Sequence, residues 1–229
     1  MTTKGKSKDK EFEVGEIVSK SEQFLEKNQK NIIYGIIGLI VIVGAILGIR
    51  HGYLAPREKK ASAAMFRGQQ YFAIDSFALA LNGNGLDYTG FESIIDEYGS
   101  TKAGNLAKGY AGVCYFKLGD NEKALKMLKS FNGNDHMIAP ALTGLIGDCY
   151  VNTGNIKEAA GYFEKAAKAA DNEVVSPVFL KKAGLAYEHL NQYQDAVKAY
   201  STIKEKYHNS MEASDIDRFI TRASELAKK

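Results

Sequence analysis

The stretch GDCYVNTGNIKEAAGYF at residues 147–163 sets Gly147, Tyr150, Gly154, Ala159 and Phe163 at intervals of 3, 4, 5 and 4. The same intervals return upstream at Gly112, Tyr115, Gly119, Ala124 and Leu128, and downstream at Gly184, Tyr187, Asn191, Ala196 and Tyr200. The windows repeat with periods of 35 and 37 residues, as helical-hairpin solenoids do. Glycine and tyrosine three apart share one helix face, and a residue tolerant of positive φ ends that helix. Alanine and a bulky residue four apart then mark a second helix. Small residues let the two helices of a hairpin approach, and the bulky ones fill the adjoining space. The pattern predicts helix-turn-helix units at 105–139, 140–175 and 177–210.

Helical periodicity continues on either side. Residues 57–72 are rich in alanine and aromatics, and 74–81 predict a second, shorter helix that Asn82-Gly83-Asn84-Gly85 breaks. Phe91, Ile94, Ile95 and Tyr98 then form a helical face ending at Gly99. Stacked repeats expose an apolar end unless an atypical unit covers it. Residues 57–99 therefore read as a divergent first repeat and cap. Ile216, Phe219, Ile220, Ala223 and Leu226 place a closing helix at 211–228.

Composition excludes several classes. Of 229 residues, 45% are hydrophobic, 25% are charged and only three are proline, which rules out global disorder and collagen-like structure. Residues 53–229 hold 22 Lys plus Arg against 21 Asp plus Glu, so no nucleic-acid partner is expected. Two cysteines, Cys114 and Cys149, are too few for a disulfide scaffold and lack metal-ligand spacing.

Residues 32–49 contain twelve Ile, Leu or Val, four Gly, one Ala and one Tyr, without a charge. As a helix they span about 27 Å, near the thickness of a bilayer core. Twelve aliphatic residues contribute about −5 kcal/mol to insertion. A buried core helix of this length normally carries a polar stripe. A cleaved signal peptide is the other alternative, but the 31 preceding residues mix seven lysines with six acids, and no A-x-A-like site follows. The reading is an uncleaved anchor at 32–52, with Tyr34 and Tyr53 near its ends. Lys20, Lys27 and Lys30 before the span balance Arg50, Arg57, Lys59 and Lys60 after it, so the positive-inside rule leaves orientation open. Gly44 and Gly48 form a small-xxx-small pair, extended by Gly52, suited to packing against another membrane helix. Residues 1–31 form a charged tail, disordered over 1–13. Val14, Ile17, Val18, Ser21, Leu25 and Asn28 then outline a short amphipathic helix for lipid or a partner.

Reactive chemistry finds little support. His51, His136, His189 and His208 are scattered without metal or base spacing, and the Gly83-Asn84-Gly85 loop follows no strand and precedes no phosphate-loop lysine. No enzyme activity, metal or cofactor is expected. Cys114 and Cys149 occupy equivalent places in adjacent units. They read as buried free thiols; a bridge stays possible, though neighbouring helices stand about 8–10 Å apart at their axes.

The spaced small residue, aromatic, turn, alanine and bulky residue resemble the tetratricopeptide repeat. The departures are the absence of tryptophan, with Lys108, Thr143 and Leu180 where the family often has one, and of the closing proline in all three windows. The fold class is thus all-α: a tetratricopeptide-repeat-like helical-hairpin solenoid over 53–229 behind a single N-terminal transmembrane helix. That family holds peptides on the inner surface made by the first helices of the hairpins. Carried onto this chain, the surface presents Val113, Phe116 and Lys117, then Asp148, Val151 and Asn152, then Lys181, Leu185, Glu188 and His189. This mixture of apolar groups and both charge signs suits a protein surface or extended peptide better than a nucleotide.

The order of tail, anchor, atypical cap and three repeats resembles the membrane-anchored family that includes the ancillary subunit of the bacterial Sec translocon. Residues 19–30, Asp75-Ser76-Phe77 and Ala80-Leu81-Asn82-Gly83 resemble a Bacteroidetes-type, Gram-negative member. The resemblance implies an inner-membrane protein with a cytoplasmic N-terminus and a periplasmic solenoid. Its partners would be translocon subunits, periplasmic chaperones or unfolded client peptides. A generic scaffold of a cell-envelope assembly or secretion complex is the alternative, and an enzyme with an unrecognised site a more distant one.

Overall fold

The computed structural model describes residues 5–228, and their side chains from residue 27. It divides into two units, residues 1–56 and 57–229. In the first, α1 (Gly5–Gly48) runs for 44 residues and passes into a π-helical segment, Ile49–Leu54. The backbone is thus helical from Gly5, through much of the charged run in which disorder was expected. Residues 1–4 of the tail, and the side chains of the amphipathic stretch up to residue 26, lie outside the described residues. Apolar side chains from Ile33 to Ile49 are exposed, and none of the most apolar 18-residue window is buried. This helix is therefore no core element of the chain, and it is long and apolar enough to cross a membrane.

The second unit consists of helices and turns, with no strand among the described residues. It contains α2 (Ala55–Ala73), α3 (Phe77–Asn82), α4 (Gly90–Tyr98), α5 (Lys102–Lys117), α6 (Asn121–Ser130), α7 (Ile138–Asn152), α8 (Ile156–Ala170), α9 (Ser176–His189) and α10 (Tyr193–Lys206). A 3-10 turn, Met211–Asp215, leads into α11 (Ile216–Leu226). The pairs α5/α6, α7/α8 and α9/α10 are the three hairpins.

Each spaced position has a physical task that the three hairpins share. Gly119 and Gly154 adopt φ of 85° and 78°, and Asn191 adopts 57°. At each turn the N–H three places past the tyrosine helix returns to the tyrosine carbonyl: Asp120 to Tyr115 at 2.9 Å, Asn155 to Tyr150 at 2.8 Å, Gln192 to Tyr187 at 2.9 Å. With the three-residue-span bonds Gly119 to Phe116, Gly154 to Val151 and Asn191 to Glu188, each 3.0 Å, these are Schellman closures that satisfy the last carbonyls. Ala124, Ala159 and Ala196 are fully buried. A methyl group on Gly147 would lie 2.6 Å from the Phe163 ring, and one on Gly112 would lie 2.6 Å from Leu128. Gly184 faces Tyr200 in the same way. The glycine of each window is therefore the floor on which its final bulky residue rests.

The divergent first repeat obeys the same geometry. Gly68, Tyr71, Asp75 and Ala80 repeat the 3, 4, 5 spacing. Asp75 takes φ of 57°, the Ser76 N–H reaches Tyr71 O at 2.9 Å, and Ala80 is fully buried. Over Gly68 lie the hydroxyl of Tyr88, which is the nearer, and the ring of Phe91 from α4. Residues 83–89 interrupt the second helix, splitting it into α3 and α4. Asn84 locks this loop: its Oδ1 accepts from the N–H groups of Leu86, Asp87 and Tyr88, and its Nδ2 donates to Tyr71 Oη at 3.0 Å. The buried Tyr88 hydroxyl donates to Ala80 O at 2.7 Å.

Both ends are fastened. Glu58 of α2 accepts from the first N–H groups of α5, Lys102 at 2.6 Å and Ala103 at 3.1 Å, a cap supplied from a distant part of the sequence. At the C-terminus, Ile216, Phe219 and Ala223 bury themselves against Tyr200 and Ile203. Cys114 and Cys149 are both free and fully buried. Burial pushes the Cys114 thiol up to about 12 and the Cys149 thiol to about 11.

Candidate functional site

The first helix of each hairpin turns its window glycine toward the second helix, against Leu128, Phe163 and Tyr200. Along α9 lie two adjoining hollows. One, of about 370 Å³, is walled by Asp148 and Val151 of α7, Ile156 and Phe163 of α8, and Lys182, Leu185, Ala186 and His189 of α9. The other, of about 420 Å³, lies between α9 and the 3-10 turn, with Val178, Lys181, Lys182 and Leu185 facing Met211, Glu212, Ser214 and Asp215. Lys182 and Leu185 wall both. Leu185 is 45% exposed, Val151 42% and Met211 88%, so open apolar surface runs through both.

The charges are arranged in pairs. Lys182 Nζ donates to both oxygens of Asp148, at 2.7 and 2.8 Å, and Lys181 Nζ donates to Asp215 at 2.8 Å. Lys181 stands 4.6 Å from the centre of the Phe219 ring, and Lys182 lies near both Phe163 and Phe179. The Lys181 hydrogen bond, with the charges of Lys181 and Arg218, holds the Asp215 carboxyl below the usual carboxylate range. Arg222 of α11 closes on Glu188 at 2.8 Å, and Glu188 also accepts from the Tyr200 hydroxyl at 3.1 Å. Burial first, then the Glu188 charge, push the Tyr200 hydroxyl upward.

Of the residues expected on the inner surface, the structure gathers Asp148, Val151, Leu185 and His189 around the first hollow and Lys181 with Leu185 around the second. The others lie outside these hollows. Glu188 turns toward α11, and Asn152 donates to Asn121 at 3.1 Å. Val113 is half-buried, Phe116 packs against the core of the first repeats, and Lys117 is exposed at the end of α5. Gly44 and Gly48 have open space around them in the first unit. Sequence reasoning missed Lys182, Ile156, Val178 and the 3-10 turn. Lys182 was open to discovery, since it precedes Leu185 by three places on the same face.

Two larger hollows, of about 550 and 500 Å³, lie elsewhere, the first between α6, α7 and α8 and the second between α8, α9 and α10. The first is bordered by Lys129, Tyr162, Lys165 and the Asn132–Asp135 loop, and the second is spanned by the Lys206–Asp171 ion pair. Size alone favours them, but polar surface makes up a larger share of their walls than in the α9 hollows. Among the described residues no group of three or more His, Cys, Asp or Glu could hold a metal.

Three stretches match models described as tetratricopeptide repeats. They are residues 110–134 and 180–210 for one model and 144–173 for another, and they fall on the three hairpins. Among solved structures the chain is similar to the nearly identical TPR-like repeats of a Podosopora anserina protein assigned as a kinesin light chain. The TM-score is 0.54 at 12% identity, covering 75% of this chain and 88% of that one. A point-substituted form of the same protein gives the same values. At that identity the likeness concerns the fold. No curated protein matches the chain. The repeats mark the chain as a protein–protein interaction module with a tetratricopeptide-repeat-like solenoid, an architecture that is typically an interaction scaffold.

Proposed function

We propose that this chain is a single-pass inner-membrane protein that presents its solenoid in the periplasm as a docking platform, working as an ancillary translocon-associated subunit. In this reading α1 anchors it with the N-terminus in the cytoplasm, and Gly44 and Gly48 face another membrane helix. The groove along α7 and α9 receives newly translocated chains or the periplasmic chaperones that accept them. The observation that carries the docking role is the apolar strip of Val151, Leu185 and Met211, open to solvent within a frame of satisfied ion pairs. An exposed apolar strip costs free energy in isolation, which favours a partner that covers it.

The test places a photo-crosslinking residue at Val151 or Leu185 in the full-length chain in its native membrane, with Lys126 on the second-helix side as control. Crosslinks to translocon subunits, chaperones or nascent chains at the first two positions, absent at Lys126, are expected. Crosslinks to a stable complex unrelated to translocation favour the generic envelope scaffold instead. For topology, a cysteine introduced near residue 205 should react with an impermeant reagent in spheroplasts while one near residue 5 stays protected. The reverse pattern refutes the periplasmic assignment. Extraction by alkaline carbonate without detergent refutes the anchor.

A further inference from the structure

Resting on the docking role just proposed, the ligand class can be read from the charge pattern of the groove. We infer that the α9 groove takes an uncharged chain segment carrying two apolar side chains, one for each hollow, and does not recognise a carboxylate or an acidic tail. Both lysines of the groove already have a carboxylate partner: Lys182 grips Asp148 through two hydrogen bonds and Lys181 grips Asp215 at 2.8 Å. Recruiting Lys182 to an incoming carboxylate would leave Asp148 without its cation, and recruiting Lys181 would break a formed pair although Asp215 keeps Arg218 at 2.7 Å, so an anionic ligand gains little. The other acid there, Glu212, repels a further negative charge.

The apolar surface has the complementary property. Phe163, Ile156, Val151 and Ala186 floor the first hollow; Val178 and Met211 border the second; Leu185 forms the ridge between them. The hollows lie on opposite flanks of α9. Neighbouring packed helices stand about 8–10 Å apart, so the two hollows are separated by about that distance. A chain in the polyproline II conformation advances about 3.1 Å per residue and returns to the same face every third residue, so it covers that distance in about three residues with both side chains toward the groove. The predicted ligand is therefore an extended stretch with apolar side chains about three positions apart. Because the closing 3-10 turn supplies Met211 and one wall, the C-terminal cap is part of the binding surface.

The experiment uses the full-length chain in lipid nanodiscs, with empty nanodiscs as control, and fluorescence anisotropy of three labelled synthetic peptides. One carries two leucines three apart in a serine–alanine background, one replaces both leucines by aspartate, and one ends in a run of acidic residues with a free carboxylate. The two-leucine peptide should bind at least about tenfold more tightly than either of the others. Its affinity should move less than about twofold between about 50 and 500 mM NaCl, since screening acts on exposed unpaired charges. Leu185→Asp should abolish binding. Met211→Ser and Val151→Ser should each weaken it several-fold, with circular-dichroism melting curves like that of the unmodified chain. Preference for the acid-ended peptide, a steep loss with salt, absence of binding, or indifference to Met211→Ser and Val151→Ser together would overturn the inference. If crosslinks at Val151 and Leu185 still form while the peptide order is reversed, the docking role stands and only this ligand class is wrong.

Discussion

Gly147→Ala tests the reading of the repeat most directly, because the change is one methyl group and its sign depends on a single contact. The added Cβ would stand 2.6 Å from Cε1, 2.7 Å from Cδ1 and 3.1 Å from Cζ of Phe163, whose side chain is 2% exposed. Ordinary contact begins at 3.4 Å, so ring or helix must yield by about 0.8 Å. The ring cannot retreat freely, because it stacks on Phe179 with centroids 6.3 Å apart. Overpacking of this kind costs about 1–3 kcal/mol, and replacing a helical glycine by alanine returns about 1 kcal/mol. The net expectation is a loss of about 1 kcal/mol. Gly161→Ala, in α8 with nothing within 4 Å of its new methyl, should instead gain close to 1 kcal/mol. The decisive arm is a Phe163→Val background, which removes every ring atom in the clash. There Gly147→Ala should become stabilising by about 1 kcal/mol, a coupling of about 2 kcal/mol in the double-mutant cycle. Urea unfolding of the full-length chain in mild detergent, followed by circular dichroism at 222 nm, reads these differences. If Gly147→Ala stabilises the unmodified chain as much as it stabilises the Phe163→Val form, the glycine is not the floor beneath Phe163, and the account of the spaced positions fails with it.

Other perturbations probe different parts of the frame. Glu58→Ala removes the acceptor shared by the Lys102 and Ala103 N–H groups; a loss of about 1 kcal/mol in urea unfolding is expected, and a neutral result argues against this long-range cap. Asp135 Oδ1 accepts from the N–H groups of Met137, Ile138 and Ala139, and the backbone bonds, that from Met137 foremost, lower its pKa. A lowered carboxyl pKa lends stability fully above its unfolded value, near 3.8, and loses it as pH falls through the folded value. Asp135→Asn should keep most of the cap at neutral pH while flattening the acid side of the stability profile; an unchanged profile refutes the assignment. Cys114 and Cys149, both buried and with thiols pushed up to about 12 and about 11, should react with a thiol reagent at pH 8 only slowly in the native chain. Both should react at once in denaturant; fast native labelling contradicts their burial.

The three regular hairpins were legible because each spaced position carries a local requirement: positive φ at Gly119, Gly154 and Asn191, and a missing Cβ beneath Leu128, Phe163 and Tyr200. The first repeat was visible as a cap but not as a fourth copy of the pattern. Gly68, Tyr71, Asp75 and Ala80 keep the spacing, yet the residues that rest on the glycine, Tyr88 and Phe91, come 20 and 23 places after it instead of 16, since residues 83–89 are looped out between α3 and α4. A search demanding all five positions passes over a window in which the fifth is displaced. Asp75 conceals it further, because aspartate at φ of 57° looks like an ordinary surface residue until its turn is built.

The groove was only half legible for a different reason. Val151 and Glu188 hold the same place in successive windows, four residues after Gly147 and Gly184, and repeat logic alone assigns them the same role. Their fates diverge with the helix stacked next to them. Beside Val151 comes α9, whose Lys182 and Leu185 leave it 42% exposed at the edge of a hollow; beside Glu188 comes α11, whose Arg222 captures it at 2.8 Å. The ion pairs Asp148–Lys182, Lys181–Asp215 and Glu188–Arg222 each join residues 34 apart, about one repeat period: the first ties the second hairpin to the third, and the other two tie the third hairpin to the C-terminal cap. Such pairs belong to the stack and not to any single window. They also neutralise the lysines that a peptide carboxylate would need, so the packing that fixes the succession of hairpins also shapes a groove for uncharged chain.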